Sequence, residues 1–339
     1  MTATAVESIS PKSSARAKRF RGLQQISILL LTLILAAISM LHARSIPNWF
    51  DNLLTYAAPI GIIACGMTFV MIAGGFDLSV GSITAVCGVV AVLMLKLFVG
   101  LPPWIAIPLA AGITVLVGAL LGPINGILIA YVDVNPFVVT LSTMFVFRGI
   151  GLVLTSGGQS ESIPKRFNDL FGFIYWGHIH PFGIPLSMPV IIYIAILAIC
   201  LYLLRLTRLG HYVYATGGNA KASWLAGINV RAITAATYVI SGITCAVTAL
   251  IWTALSGTAQ ASDYQGREMI VIASVIVGGT PLSGGRGGLL LTVVGLFLLA
   301  TIEQLLTQDG VNPHYRQLIT GLIIVTVVAL DAWFKRRKQ

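Results

Sequence analysis

Ten apolar runs, most of them close to 20 residues long, succeed one another along this chain and leave little between them. They lie roughly at 24–41, 54–73, 78–99, 104–131, 137–155, 186–204, 232–255, 269–282, 288–306 and 317–334. A helix crosses the hydrocarbon core of a bilayer with ~20 predominantly apolar residues. Only 9% of the 339 residues are charged, against 57% hydrophobic. A soluble domain carries about 25% charged residues, so this chain cannot cover a globular surface and lipid must be its outer solvent. The expected fold is an all-α polytopic transmembrane bundle of about ten spans. It divides into an N-terminal tail (1–22), a membrane domain (23–334) and a C-terminal tail (335–339). The eighth run is short and ends in Gly278-Gly279; the fourth is long and carries Gly122-Pro123, which predicts tilt or a break. The basic arm ahead of the first run resembles a signal peptide, but no A-x-A site comes after it, so the run is read as an uncleaved helix.

The net charge of +10 does not point to nucleic acid, because the basic residues sit at the ends of apolar runs, where they set topology. With the N-terminus inside, fourteen Lys and Arg fall on the inner side: five in the tail, Arg205, Arg208, Lys221, Arg231, Arg286 and 335–338. Five fall outside: Arg44, Lys165, Arg166, Arg267 and Arg316. An even span count then places both basic termini in the cytoplasm. Cys65, Cys87, Cys200 and Cys245 all lie inside apolar runs without CxxC spacing, which gives neither a redox pair nor a metal site.

Two connections are longer than turns. The outer one, 156–185, mixes charges (Glu161, Lys165, Arg166, Asp169) with aromatics (Phe167, Phe171, Phe173, Tyr175, Trp176), a composition that suits either a transient docking surface or an interfacial helix. His178 and His180 within it lack the carboxylate pattern of a metal site. The inner one is 205–231. There Thr216-Gly217-Gly218-Asn219 can cap a short helix over 220–226, and a short helix at the membrane face can seat in a groove of a partner.

An internal repeat is also visible. Ile72-Ala73-Gly74-Gly75-Phe76-Asp77-Leu78-Ser79-Val80-Gly81 resembles Ile276-Val277-Gly278-Gly279-Thr280-Pro281-Leu282-Ser283-Gly284-Gly285, with common spacing Gly-Gly-x-x-Leu-Ser-x-Gly. Repeats in transporters place the pathway between halves; a coincidence of glycine-rich turns is the alternative. On either, the glycines permit turns and close helix approach.

Four stretches, in order, carry a family resemblance. They are 66–70 (Gly66-Met67-Thr68-Phe69-Val70) running into 74–81, Asn125-Gly126 with 135–141 and Arg148-Gly149, 217–223 running on to 226–228, and the second glycine motif at 277–285. The chain resembles the membrane-spanning permease subunit of bacterial ATP-binding-cassette (ABC) importers for monosaccharides of the ribose, xylose and arabinose type. Phe76 and Trp224 depart from the usual residues. The resemblance implies an inner-membrane assembly in which a second permease copy, identical or a sister chain, pairs with this one. Cytoplasmic ABC ATPase subunits bind ATP and Mg, and a periplasmic binding protein delivers the sugar. It also makes 205–231 the ATPase-coupling loop, carried by Thr216, Gly217, Gly218, Asn219, Ala220, Ala222, Ala226 and Gly227.

The residues themselves agree that energy comes from elsewhere. No G-x-x-x-x-G-K-[ST] loop occurs; the glycine-rich 283–288 has neither the Lys-Ser/Thr beyond it nor a preceding strand. No catalytic residue and no resident cofactor are expected. A charge near the bilayer centre costs about 2.5–3.5 kcal/mol on insertion scales, so Arg148, about twelve residues into its run, must face protein or the pathway. Asn125, Asn135, Thr140, Ser142 and Thr143 supply neutral hydrogen-bonding groups around it and complete a candidate substrate pathway suited to a polyol. An ion-coupled secondary carrier is the alternative. It would require mid-membrane carboxylates, whereas Asp77, Glu268, Glu303 and Asp331 are read as bordering spans.

Overall fold

The computed structural model describes residues 27–42, 45–180 and 186–336. The tail at 1–22 and the last three residues fall outside them. The described chain is mostly helical: α1 (Ser27–Leu41), α2 (Ile46–Ile72), α3 (Val80–Leu97), α4 (Pro103–Ala130), α5 (Pro136–Leu154), α6 (Asn168–Trp176), α7 (Met188–Leu206), α8 (Arg208–Gly218), α9 (Ala220–Leu225), α10 (Val230–Ser256), α11 (Arg267–Val277), α12 (Leu289–Gln308) and α13 (Pro313–Arg336). Two short antiparallel ribbons join distant segments: β1 (Glu161–Ser162) with β4 (Thr258–Ala259), and β2 (His178–Ile179) with β3 (Leu186–Ser187).

Among the described residues seven helices, α2, α3, α4, α5, α7, α10 and α12, are long and apolar enough to cross a membrane. They answer to the second to seventh and the ninth apolar runs. The eighth run, read as a span over 269–282, is helical only over Arg267–Val277, and Gly278 ends it. Eleven residues rise ~16 Å, about half of a ~30 Å hydrocarbon core. The fourth run shows no break: α4 is continuous through Pro108 and Pro123.

The interior consists of α2, α3 and α10. Of the most apolar window of α2, 83% is buried, against 28% in α5 and in α7; the outer helices keep their large apolar side chains for lipid. Helix α4 makes the division plain. Its buried stripe is Thr114, Gly118, Gly122, Asn125 and Gly126, while Trp104, Leu116, Leu120 and Ile127 point outward. The recurrence of glycine every fourth residue lets α4 lie directly on α10. A Cβ on Gly118 would overlap the Gly242 carbonyl oxygen, and one on Gly126 would stand 2.8 Å from Ala235 Cα. Small residues at such contacts are what membrane helices use to pack closely.

Connections gather at two ends of the bundle. At one end, the long connection folds as a lid: β1, a 3-10 turn over Lys165–Phe167, α6 and the β2–β3 ribbon. Lys96 pairs with Glu161, Arg166 donates to the Val99 carbonyl (2.8 Å), and His178 faces Asp51 at 3.4 Å. Phe167 and Phe171, counted from sequence among the docking aromatics, are fully buried beneath this lid, and of the α6 aromatics Phe173 and Trp176 are exposed. The short helix is amphipathic and turns Phe171 into the core. The opposite end carries α8 and α9.

Candidate functional site

Helix α2 ends in a Schellman turn: Gly75 N–H donates to Val70 O and Gly74 N–H to Met71 O, both at 3.0 Å, with Gly74 at φ +93°. Helix α11 ends the same way, with Thr280 N–H to Val275 O (3.1 Å), Gly279 N–H to Ile276 O (2.8 Å), and Gly279 at φ +92°. The left-handed residue that this turn requires is thus the first glycine of one pair and the second of the other. The repeat is real as a helix-ending device, but its register slips by one residue. Beyond the turns the copies part. Leu78 and Ser79 are buried and lead into α3, with Gly81 in its first turn, whereas Leu282 and Ser283 are exposed.

The first turn and Gly284-Gly285, on the chain beyond the second, meet at the end of α8. Gly285 N–H donates to the Ile72 carbonyl at 2.8 Å, and a Cβ on Gly284 would stand 2.7 Å from Gly74 Cα. A Cβ on Gly217 would overlap Ile72 O and lie 2.6 Å from Gly285 N. The Tyr214 hydroxyl donates to Gly287 O at 2.9 Å; burial holds its phenol above the ordinary range, which keeps it a donor. Beyond this junction, the Asn219 side chain caps α9 by accepting from Ala222 N–H at 2.9 Å. Helix α9 buries Ser223 and exposes Ala220, Ala222, Ala226 and Gly227, with Trp224 67% and Leu225 72% exposed. Beside it opens a groove of about 1160 Å³, lined by Tyr131, Asp133, Lys221, Trp224 and Arg231 among others. The Arg231 guanidinium lies 5.9 Å over the Tyr131 ring.

Next to the junction a buried polar network joins four elements. Asp77 Oδ1 accepts from Ser79 N–H (2.9 Å), Ser79 Oγ (2.6 Å) and Asn125 Nδ2 (3.3 Å), and Oδ2 accepts from Ser241 Oγ (3.3 Å). Asn125 also donates to Ser79 Oγ (2.8 Å) and accepts from Thr143 Oγ1 (2.6 Å). The Tyr238 hydroxyl donates to Phe76 O at 3.1 Å. A buried carboxylate demands such donors, and these tie the α2–α3 turn to α4, α5 and α10.

A family model described as a branched-chain amino acid transport system / permease component matches residues 49–328. The chain belongs to that family. A ribose import permease protein of Haemophilus influenzae is 34% identical to this permease over 93% of the chain and 95% of its own length. One of Bacillus subtilis is 38% identical over 83% of each. The D-allose transport system permease protein of Escherichia coli is 33% identical over 88% of this chain and 89% of its own. No solved structure matches the permease.

Of the six pathway candidates, the permease brings Asn125 and Thr143 together, around Asp77. The other four go elsewhere. Asn135 caps α5 by accepting from Phe137 N–H at 2.9 Å. Thr140 is buried and donates to Pro136 O in its own helix. Ser142 is exposed on α5. Arg148 donates to the carbonyls of Ala261 and Asp263, the latter at 2.9 Å. Sequence reasoning missed Ser241, Tyr238 and Tyr214. Ser241 carried a signal, being a polar residue beside Gly242 in the middle of a long apolar helix.

Proposed function

We propose that the permease forms the membrane pathway of an ABC importer for a monosaccharide or related polyol in the bacterial inner membrane. ATP and Mg bind a separate cytoplasmic ATPase, a periplasmic binding protein delivers the substrate, and a second permease copy, identical or a sister chain, completes the channel. The observation that carries this reading is the α8–α9 unit. It presents an exposed apolar hook, Trp224-Leu225, beside an open groove, and its base rests on the end of α2 and on Gly285 of the chain that leads from α11 to α12. The relatives that are ribose and D-allose permeases support the substrate class.

In this reading α1, the α11 segment and α13 bring the span count to ten, with the α8–α9 face and both termini in the cytoplasm. Reporters fused at Gln339 and inserted at Gly172 should then report opposite sides; the same side for both would sink the count.

The docking surface makes a sharper test. Ala222 is exposed on α9, and a Glu there places an unpaired charge in the ATPase contact. Leaving a charge buried and unpaired costs about 3–5 kcal/mol, a hundredfold or more in affinity at 1.4 kcal/mol per tenfold. Ala222→Glu should therefore insert normally, lose the ATPase in pull-downs from detergent, and lose uptake with it. Normal recovery of both would reduce α9 to a linker. Gly227 is a poorer choice of site, since its φ of +83° strains any side chain.

One observation favours the ion-coupled alternative. Asp77 and Glu268, expected at span ends, are both buried, and among the described residues neither has a cationic partner within 4 Å. Vesicles without the ATPase decide between the two: the importer takes up no sugar in an ion gradient, and the carrier does.

A further inference from the structure

Helix α10 ends at Ser256, and Gly257 (φ +69°) turns the chain back. From there the chain does not run over the end of the bundle. Ala259 lies beside Gly88, whose Cβ would stand 3.6 Å from Ala259 Cβ, and the Tyr264 carbonyl lies 2.8 Å from where a Gly81 Cβ would be. Gly88 and Gly81 are seven residues apart, ~10 Å along α3. The segment 257–266 therefore descends along α3 into the bundle as a chain of turns, with Asp263 N–H to Gln260 O (3.1 Å) and Gln265 N–H to Ser262 O (3.3 Å). The half-length α11 starts from that depth.

Irregular backbone at membrane depth persists only where it is buried in protein or lines water. One side of this loop is buried: Ala259, Ala261 and Tyr264 are at most 5% exposed. It is also clamped. Arg148 from α5 binds the carbonyls of Ala261 and Asp263, the Trp252 and Tyr264 rings meet edge to face at 5.0 Å, and Arg267 lies over Trp252 and Tyr56 at 5.9 and 5.6 Å. Its other side is open and polar, with Ser262, Gln265 and Gly266 exposed. At the same depth the exposed residues of the outer helices α4, α5 and α7 are mostly large and apolar. A clamped loop with free amide and hydroxyl groups has no stable placement against lipid.

We infer that the loop 260–266 is the monosaccharide-contacting surface midway along the pathway, with Ser262 and Gln265 meeting the sugar hydroxyls. Arg148 is a positioning residue that fixes the loop. The inference rests on the importer reading. Serine and glutamine both donate and accept, which matches a hydroxyl, and neither carries the charge that would hold a passing sugar too tightly.

The test uses the permease assembled with its ATPase and binding protein in proteoliposomes. Ser262→Cys and Gln265→Cys are made singly; the four native cysteines are buried. A charged, membrane-impermeant thiol reagent should modify both new thiols and lower sugar uptake at least tenfold, with ATPase recovery unchanged. The Ser262→Val, Gln265→Leu double variant should lose uptake to the same extent, and Arg148→Lys should fall between it and the wild type. Thiols that do not react, because they face lipid or the second copy, would overturn the inference, as would wild-type uptake in the double variant. If the unmutated assembly moves no sugar, the importer reading fails, and the labelling result still decides whether the loop faces water.

Discussion

Gly122→Leu should yield no folded permease, while Gly112→Leu, ten residues earlier on the same helix, should yield the wild-type amount. A Cβ on Gly122 would overlap the Tyr238 carbonyl oxygen and stand 3.0 Å from its carbon and 3.2 Å from Gly242 N. All three are backbone atoms of α10 and cannot rotate aside, so the helices must separate. Overpacking a contact that can adjust costs about 1–3 kcal/mol, and this one cannot adjust. Separation would also pull Asn125 away from Asp77 and Ser79. The bond to the Asp77 carboxylate is worth roughly 1.5–3 kcal/mol and the neutral one to Ser79 about 0.5–1.5 kcal/mol. Together with the overpacking these losses reach the lower end of the stability of a typical domain, about 5–15 kcal/mol. Gly112 is exposed, with nothing within 4 Å of its Cβ position, so leucine there adds only lipid-facing surface. Membrane insertion, size-exclusion profile and thermal midpoint in detergent measure the difference. A monodisperse Gly122→Leu protein with an unshifted midpoint would show that α4 and α10 do not meet as closely as described.

The glycine stripe behind that prediction is open to sequence reading, since 118, 122 and 126 keep the four-residue period of a helix face. The Gly-Gly repeat is the more conspicuous pattern, yet residue identity aligns its copies one position away from their backbone match. What sequence conveys well is local. The seven long helices are set by hydropathy, and Asn219 capping α9 is set by its neighbours. What it hides depends on partners far along the chain. The segment 257–266 has the composition of an exposed loop, with Thr, Gln, Ser and Asp, and only its contacts with Gly81 and Gly88 reveal its depth. The depth of Arg148 in its run correctly implies protein around it. Its acceptors, however, are two backbone carbonyls more than a hundred residues later, and no side-chain pattern announces a carbonyl. Phe167 and Phe171 read as docking residues because a nine-residue amphipathic helix and an exposed loop have similar composition.

Gly217→Ala should give a permease that holds its ATPase and moves almost no sugar, while Gly218→Ala behaves as wild type. The two positions adjoin, and both helix propensities favour alanine, so only the surroundings can separate them. A Cβ on Gly218 meets nothing within 4 Å, whereas one on Gly217 overlaps Ile72 O and crowds Gly285 N. Those two atoms are bonded to each other at 2.8 Å. The added methyl therefore wedges apart a place where α8, the end of α2 and the chain leaving α11 are in mutual contact. The exposed hook of Trp224 and Leu225 lies on α9, beyond the Asn219 cap, so its docking surface is left intact. If nucleotide-driven movement of α9 reaches the membrane helices through this junction, displacing it by the width of a methyl group disturbs the end of α2 and the chain between α11 and α12 together. A penalty of about 2–3 kcal/mol, the upper range for overpacking, corresponds to roughly a hundredfold loss of uptake at 1.4 kcal/mol per tenfold. Pull-down of the ATPase, uptake in proteoliposomes and stimulation of ATP hydrolysis by the loaded binding protein separate the steps. ATPase recovery should be normal, and uptake and stimulation should both be lost. Uptake within twofold of wild type in Gly217→Ala would mean that force reaches the bundle by another route, through the α8–α10 contact or the groove at Tyr131 and Arg231.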